Sequence, residues 1–183
     1  MKKDGKRCTA VLLAAGNGSR MRQSGNGKQE ENLPKQFRLL GGKPVIWYSL
    51  EALEQSEIID DCVLVTGEEY LSYVREEILA RFGFSKVRAV VAGGRERYES
   101  VYRGLQAAGQ EQDFFFIHDG ARPFLTEKIL RDTYDAACRY GAAVAAVPAK
   151  DTVKIADEEG FCATTPRRSL VWTVQTPRDS ALE

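Results

Sequence analysis

No sign of charge prevails in this chain. Twenty-six lysines and arginines stand against 26 aspartates and glutamates, so no global field draws it to nucleic acid or to an anionic membrane surface. Any anion affinity is therefore local. No hydrophobic run approaches the length that spans a bilayer. The basic start Met1-Lys-Lys-Asp-Gly-Lys-Arg7 precedes an apolar run, Thr9 to Ala15, that is at the short limit for a secretory segment and has the Val and Leu content of a buried strand. Cys8, Cys62, Cys138 and Cys162 are far apart and form no C-x-x-C pair, which excludes a zinc ribbon. Without an export signal they read as reduced thiols, and the expected compartment is the cytoplasm. Internal repeats and low-complexity tracts are also absent. With 43% hydrophobic and 28% charged residues over 183 positions, the composition is that of one globular domain, 1–183, with a real core.

The most telling segment is Ala10-Val-Leu-Leu-Ala-Ala-Gly16-Asn-Gly18-Ser-Arg20-Met21, followed by Leu33-Pro-Lys35-Gln-Phe37. It reads as a buried strand opening into a glycine loop with two cations. Gly16 and Gly18 let the backbone turn its N–H groups toward an anion, while Arg20 and Lys35 add full positive charge. In open α/β sheets, ligands sit at that end of a strand. Familiar nucleotide motifs fail at named positions. The dinucleotide fingerprint needs a third glycine where Met21 stands, and no acidic residue closes a neighbouring strand at the expected distance. A P-loop needs a serine or threonine after Gly27-Lys28, where Gln29 stands, and a glycine at Arg22. Gly42-Lys43 fails at Phe37 and Pro44. A lone Gly-x-Gly is equally a tight strand-to-helix turn. The two cations turn the balance toward a phosphate site.

Strand-like runs recur at Cys8 to Ala14, Cys62 to Thr66, Val87 to Ala92, Phe114 to His118 and Ala142 to Val147, with helix-like segments between. That alternation predicts an α/β fold with a mostly parallel central sheet and helices on both faces. Pro44 suits a first helical position ahead of Val45-Ile-Trp-Tyr. Val74, Ile78 and Phe82 recur at fours, and Val101, Leu105 and Ala108 form a second apolar stripe. Thr126 can cap the helix carrying Ile129, Leu130 and Ala137. Two regions break the alternation. Gln23 to Asn32 is polar and glycine-containing, a loop between Arg20 and Lys35 expected to order around a phosphate ligand. From Lys150 to about Val174, Thr152-Val-Lys-Ile, Gly160-Phe and Val171-Trp-Thr-Val suggest short β-segments around Asp157-Glu-Glu-Gly160, a protruding hairpin arm.

Six ordered motifs carry a resemblance that covers the chain from about residue 8 to its end: Leu13-Ala-Ala-Gly-Asn-Gly-Ser-Arg-Met21, Pro34-Lys-Gln-Phe37, Gly93-Gly-Arg-Glu-Arg-Tyr-Glu-Ser100, His118-Asp-Gly-Ala-Arg-Pro123, Lys150-Asp-Thr-Val-Lys154 and Gln175-Thr-Pro177. Together they resemble the 2-C-methyl-D-erythritol 4-phosphate cytidylyltransferase family. The resemblance implies a Rossmann-like nucleotidyltransferase fold, CTP and a sugar-alcohol phosphate as substrates, Mg²⁺, and a step in non-mevalonate isoprenoid synthesis. It places Ala14, Ala15, Gly16, Gly94 and Ser100 around the cytidine, with Gly18 and Arg97 in the nucleotide site. Arg20 and Lys35 fall on the triphosphate and Asp119 on the metal. Arg122, Thr152 and Arg168 would hold the acceptor phosphate, the last two coming from the partner of a homodimer through the exchanged arm. Arg20, Lys35 and Arg168 are the expected catalytic cations.

The chain departs from the family pattern in places. The loop between Met21 and Pro34 is long, Arg95 stands where an acidic or small residue is frequent, and Arg178 replaces a usual glutamine. The chain also ends at Glu183, before the family's last strand and helix, so that piece is expected to be missing.

Cytidylyl transfer suits these residue types. A phosphate monoester, with its second pKa of about 6, is already an ionised nucleophile near neutral pH. It needs positioning and charge neutralisation rather than a strong base. Asp119 ends the run Phe114-Phe-Phe-Ile-His, so its carboxylate would emerge at a strand end and, with phosphate oxygens, suit Mg²⁺. Locally it could equally open a turn before Gly120. Arg122 beside it suits a bridging anion. Gly93-Gly94 reads as another strand-to-helix turn, with Arg97 and Ser100 one helical turn apart on one face. His118, the single histidine, is expected to be packed or backbone-bonded rather than catalytic. Rival readings are a ribitol 5-phosphate cytidylyltransferase, a sugar nucleotide pyrophosphorylase and a non-catalytic CTP-binding module.

Overall fold

The computed structural model describes residues 5–16 and 33–181. Strand β1, Cys8–Ala14, is buried along its whole length and lies in the middle of a six-stranded sheet. It runs parallel to β4 (Asp61–Thr66) on one side and β6 (Phe114–Asp119) on the other. The sheet order is β5-β4-β1-β6-β10-β7, with β5 at Val87–Ala92, β7 at Ala142–Pro148 and β10 at Trp172–Ala181. Strand β10 is antiparallel to both neighbours, so β7 runs in the same direction as β6.

Period-two alternation divides β1 between two cores. Ala10, Leu12 and Ala14 point into one cluster with Ile46, Leu50 and Leu53 of α1 (Val45–Gln55) and Leu130, Tyr134 and Ala137 of α4 (Glu127–Tyr140). Val11 and Leu13 point the other way, toward Val63, Val65, Phe115 and Ala108 of α3 (Arg97–Ala108). Helices on both faces explain why these strands read as unbroken apolar runs. The architecture is the predicted Rossmann-like α/β sheet. Among the described residues no helix is long and apolar enough to cross a membrane.

Local details differ from expectation in three places. Pro44 does not open the helix but stands one residue before it, extended at ψ 141°, closing the small hairpin of β2 (Leu39–Leu40) and β3 (Lys43–Pro44). The Val74/Ile78 stripe is buried as predicted, but its helix, α2 (Leu71–Tyr73), widens into a π-helical turn over Val74–Ala80. The arm is a shorter hairpin than expected, β8 (Ile155–Ala156) and β9 (Cys162–Thr164), turned by Asp157, whose carboxylate accepts the N–H groups of Glu159 and Phe161. Trp172 to Val174, expected to close that arm, instead begin β10 of the main sheet, where pairing with β7 gives their backbone a longer ladder. Thr126 caps α4 as predicted, accepting from the Ile129 N–H at 3.3 Å.

Candidate functional site

A cleft of about 490 Å³ lies where β1 and β6 end and α3 begins. Its walls include Ala14, Ala15, Gly16, Lys35, Gly94, Arg97, Ser100, Asp119 and Arg122. Nine residues singled out from sequence thus share one cavity, at the carboxyl ends of parallel strands where ligands of such sheets sit. Gly18 and Arg20, and the loop from 22 to 32, lie outside the described residues. Thr152 and Arg168 do not line this cleft. Both sit in the exposed segment after β7, where the Arg168 guanidinium donates to the Lys150 carbonyl at 3.3 Å.

Register brings the pieces together. Leu13 of β1 pairs with Asp119 of β6, and the Gly120 N–H donates to the Leu13 carbonyl at 2.8 Å, carrying β6's end across the mouth of the glycine loop. Gly120 has little room for a side chain, since a Cβ would stand 3.3 Å from both that carbonyl and Ile46. On the other side, the Gly93 N–H donates to the Thr66 carbonyl at 2.7 Å. A Cβ on Gly93 would fall 2.4 Å from the Ala15 methyl, so the two glycine turns touch only because this one has no side chain. Glu96 and Glu99 cap α3 reciprocally, and Ser100 accepts the Gly94 N–H at 3.1 Å. Those bonds set the first turn of α3 facing the cleft.

Charge in the cleft is concentrated and mixed. Lys35, Arg95, Arg97 and Arg122 face Glu96 and Asp119, four cations against two carboxylates. Asp119 is gripped from both sides, by Arg97 at 3.0 Å and by Arg122 at 3.3 Å. An anion entering here meets guanidinium groups already held in place, and one carboxylate is left to share a cation with it. Beneath the cleft, His118 is buried, with its Nε2 3.2 Å from the Arg122 carbonyl. Burial pushes its pKa down to about 4, so the ring is neutral at ordinary pH and, as the sequence suggested, bonded to backbone.

Three contributors lie inside the motifs Pro34-Lys-Gln-Phe37 and Gln175-Thr-Pro177 but had no role assigned from the sequence. Gln36 is buried and its Nε2 donates to the Ala14 and Gly16 carbonyls, tying the end of β1 to the turn that presents Lys35. Its signals were its place in the motif Pro34-Lys-Gln-Phe37 and its polarity beside the buried Phe37. Gln175 accepts from the Arg122 guanidinium, and the Thr176 hydroxyl lies 3.1 Å from His118 Nδ1. Both come from the irregular stretch between Val174 and Arg178 where β10 changes register, a break that aims side chains into a site.

The family model described as 2-C-methyl-D-erythritol 4-phosphate cytidylyltransferase matches residues 8–182. A protein of that name from Lachnospira eligens is 44% identical over 170 residues, which is 93% of this chain and 70% of that protein. Another of the same name, from Syntrophus aciditrophicus, is also 44% identical, over 92% of this chain and 69% of its own length. Among solved structures, the 4-diphosphocytidyl-2C-methyl-D-erythritol synthase of Anaerococcus prevotii superposes with a TM-score of 0.78 at 28% identity, covering 97% of this chain and 72% of that one. A 2-C-methyl-D-erythritol 4-phosphate cytidylyltransferase of Thermus thermophilus gives 0.63 at 26% identity, over 94% and 70%.

Proposed function

The chain belongs to the 2-C-methyl-D-erythritol 4-phosphate cytidylyltransferase family, and from that premise we propose how its residues divide the work. It is a CTP-dependent cytidylyltransferase of non-mevalonate isoprenoid synthesis, joining CTP to 2-C-methyl-D-erythritol 4-phosphate with release of pyrophosphate. The observation that carries the division of labour is the meeting of Lys35, Arg97, Asp119 and Arg122 in one cleft beside the glycine turns.

An oxygen of the acceptor phosphate attacks the α-phosphorus of CTP, and the bond to the β,γ-pyrophosphate breaks. Both partners are anions, so their approach is opposed by charge. Lys35, with Arg20, screens the triphosphate and the leaving pyrophosphate, while Arg122 holds the acceptor phosphate in line. Ala14, Ala15, Gly16, Gly94 and Ser100 form the slot for cytosine and ribose. No side chain need remove a proton, because the nucleophile is ionised at about pH 7. The catalytic gain is positioning and preset charge.

Asp119 and phosphate oxygens make an all-oxygen donor set of the kind Mg²⁺ takes, and no group of three metal-ligating side chains occurs among the described residues to form a separate cage. Mg²⁺ bound there would offset the charge that builds on the phosphates.

Ile155, Phe161 and Leu170 expose apolar surface on and beside the arm. Thr152 and Arg168 belong to the same segment, away from the chain's own cleft, which favours a homodimer whose arms complete each other's acceptor sites. The free thiols of Cys62, Cys138 and Cys162 fit a reducing compartment, the cytoplasm.

Pyrophosphate release with CTP and Mg²⁺, measured with methylerythritol phosphate and in parallel with ribitol 5-phosphate, tests the reading. Turnover with the first acceptor, lost in Asp119→Asn, is the expected result. Turnover with ribitol 5-phosphate alone, or tight CTP binding with no turnover on either acceptor, would overturn it in favour of a ribitol enzyme or a binding module.

A further inference from the structure

We propose that His118 is a positioning residue whose imidazole locks the Asp119-to-Arg122 turn in its working shape. The proposal rests on the assignment of Asp119 and Arg122 to metal and acceptor phosphate above. The ring is only 2% exposed and lies under the cleft, outside its lining residues, so it takes no part in bond making.

Each of its nitrogens has a polar partner. Nε2 lies 3.2 Å from the Arg122 carbonyl, which can only accept, so Nε2 carries the hydrogen. Nδ1 is then the acceptor, and the Thr176 hydroxyl, 3.1 Å away, donates to it. That hydroxyl in turn accepts the Asp119 backbone N–H at 3.4 Å. The Arg122 N–H closes the turn by donating to the Asp119 carbonyl at 2.9 Å. These bonds form a circuit through Asp119, Thr176, His118 and Arg122 that joins β6, β10 and the turn that follows β6. Two further bonds brace it: Ser49 of α1 donates to the Arg122 carbonyl at 3.0 Å, and Gln175 accepts from the Arg122 guanidinium.

An aliphatic residue at 118 would fill the same space, yet it would take one of two donors from the Arg122 carbonyl and leave the Thr176 hydroxyl hydrogen without its acceptor. The circuit therefore does more than pack. It fixes the separation of the Asp119 carboxylate and the Arg122 guanidinium, the two groups that must face metal and phosphate together. A displacement of about 1 Å at a reacting centre can cost about 100-fold in rate, and loss of a group that orients a metal ligand about 10- to 100-fold.

Thr176→Val and His118→Phe test this, with Thr176→Ser as the conservative control. For both disruptive variants kcat is expected to fall about 10- to 100-fold and the Mg²⁺ concentration for half-maximal rate to rise, with KM for CTP changed by less than about threefold. Thr176→Ser should restore kcat to within about threefold. Because the chain has one histidine, nitrogen NMR of the wild type reads a single ring, expected as the Nε2–H tautomer. Should His118→Phe fail to fold, the Thr176 pair and the tautomer decide alone. Wild-type kcat in Thr176→Val, equal losses in the Val and Ser variants, or an Nδ1–H ring would overturn the proposal. Asp119→Asn separates the two levels. If it leaves turnover intact, the site assignment itself is wrong; if it abolishes turnover while Thr176→Val does not, only the role of His118 falls.

Discussion

Lys35 and Asp179 show how differently one charged side chain can act according to what surrounds it. Lys35 is exposed at the rim of the cleft on a turn anchored by Gln36. If it contributes what one preset donor contributes to an oxyanion, Lys35→Ala lowers kcat about 100- to 1000-fold, read by steady-state pyrophosphate release. Asp179 sits in β10 at 3% exposure, and among the described residues neither of its oxygens has a hydrogen-bond partner. The nearby Thr133 hydroxyl is committed to the Ile129 and Leu130 carbonyls. Burial therefore pushes the Asp179 carboxyl up to about 7. The unfolded chain releases this proton near pH 4 and the folded chain near pH 7. Between those values the folded state binds more protons, so stability falls as pH rises through that window. The buried His118, neutral in the folded chain down to about pH 4, works in the opposite direction, so the test is a comparison: on going from pH 5 to pH 8 in urea unfolding, the wild type should lose ~2–3 kcal/mol more stability than Asp179→Asn. An unchanged slope in the variant would show that another group is responsible.

At the level of elements, the contact between α3 and the sheet depends on a missing side chain. A Cβ at Gly104 would stand 2.4 Å from Val11 Cγ1 and 3.0 Å from Val65 Cγ2, both on buried β-branched residues with little freedom to move. Alanine is the better helix former by about 1 kcal/mol, but overpacking a tight core costs about 1–3 kcal/mol. Sterics should win, and Gly104→Ala should lower the unfolding midpoint in urea at unchanged slope. A more stable variant would mean that α3 can move off the sheet. The same scale shows what could be read without coordinates. The buried β1, β4 and β6 announce themselves as apolar runs, and the partly exposed β5 and β7 as Val- and Ala-rich ones, so all five were legible to within a residue of their ends. Strand β10 was not. Its Gln175-Thr-Pro-Arg-Asp stretch is polar and contains a proline, and it becomes a strand only because β6 and β7 leave a gap that its backbone can fill. Asp119 and Lys35 were visible as charges at strand and turn ends, whereas Gln36 and Thr176 act through bonds to carbonyls, a hydroxyl and a ring that no linear spacing reveals.

For the whole molecule, the arm is the part with least reason to exist in a lone chain. Residues 151 to 165 are exposed throughout, apolar Phe161 among them at 68%. A second copy covering that surface would also bring Arg168 and Thr152 to a cleft their own chain does not let them line. Sedimentation should give a dimer at micromolar concentration, and Phe161→Asp combined with Leu170→Asp should shift it to monomer and reduce turnover. A wild-type monomer with full activity would refute the exchanged arm.

The convergence of Lys35 and Asp119 on one nucleotide tail is tested most directly by a crystal structure with CTP and Mg²⁺. The triphosphate is predicted to lie between the Lys35 ammonium and the Asp119 carboxylate, with the cytosine against Gly94 and Ser100. A nucleotide seated elsewhere, with those side chains untouched, would contradict it.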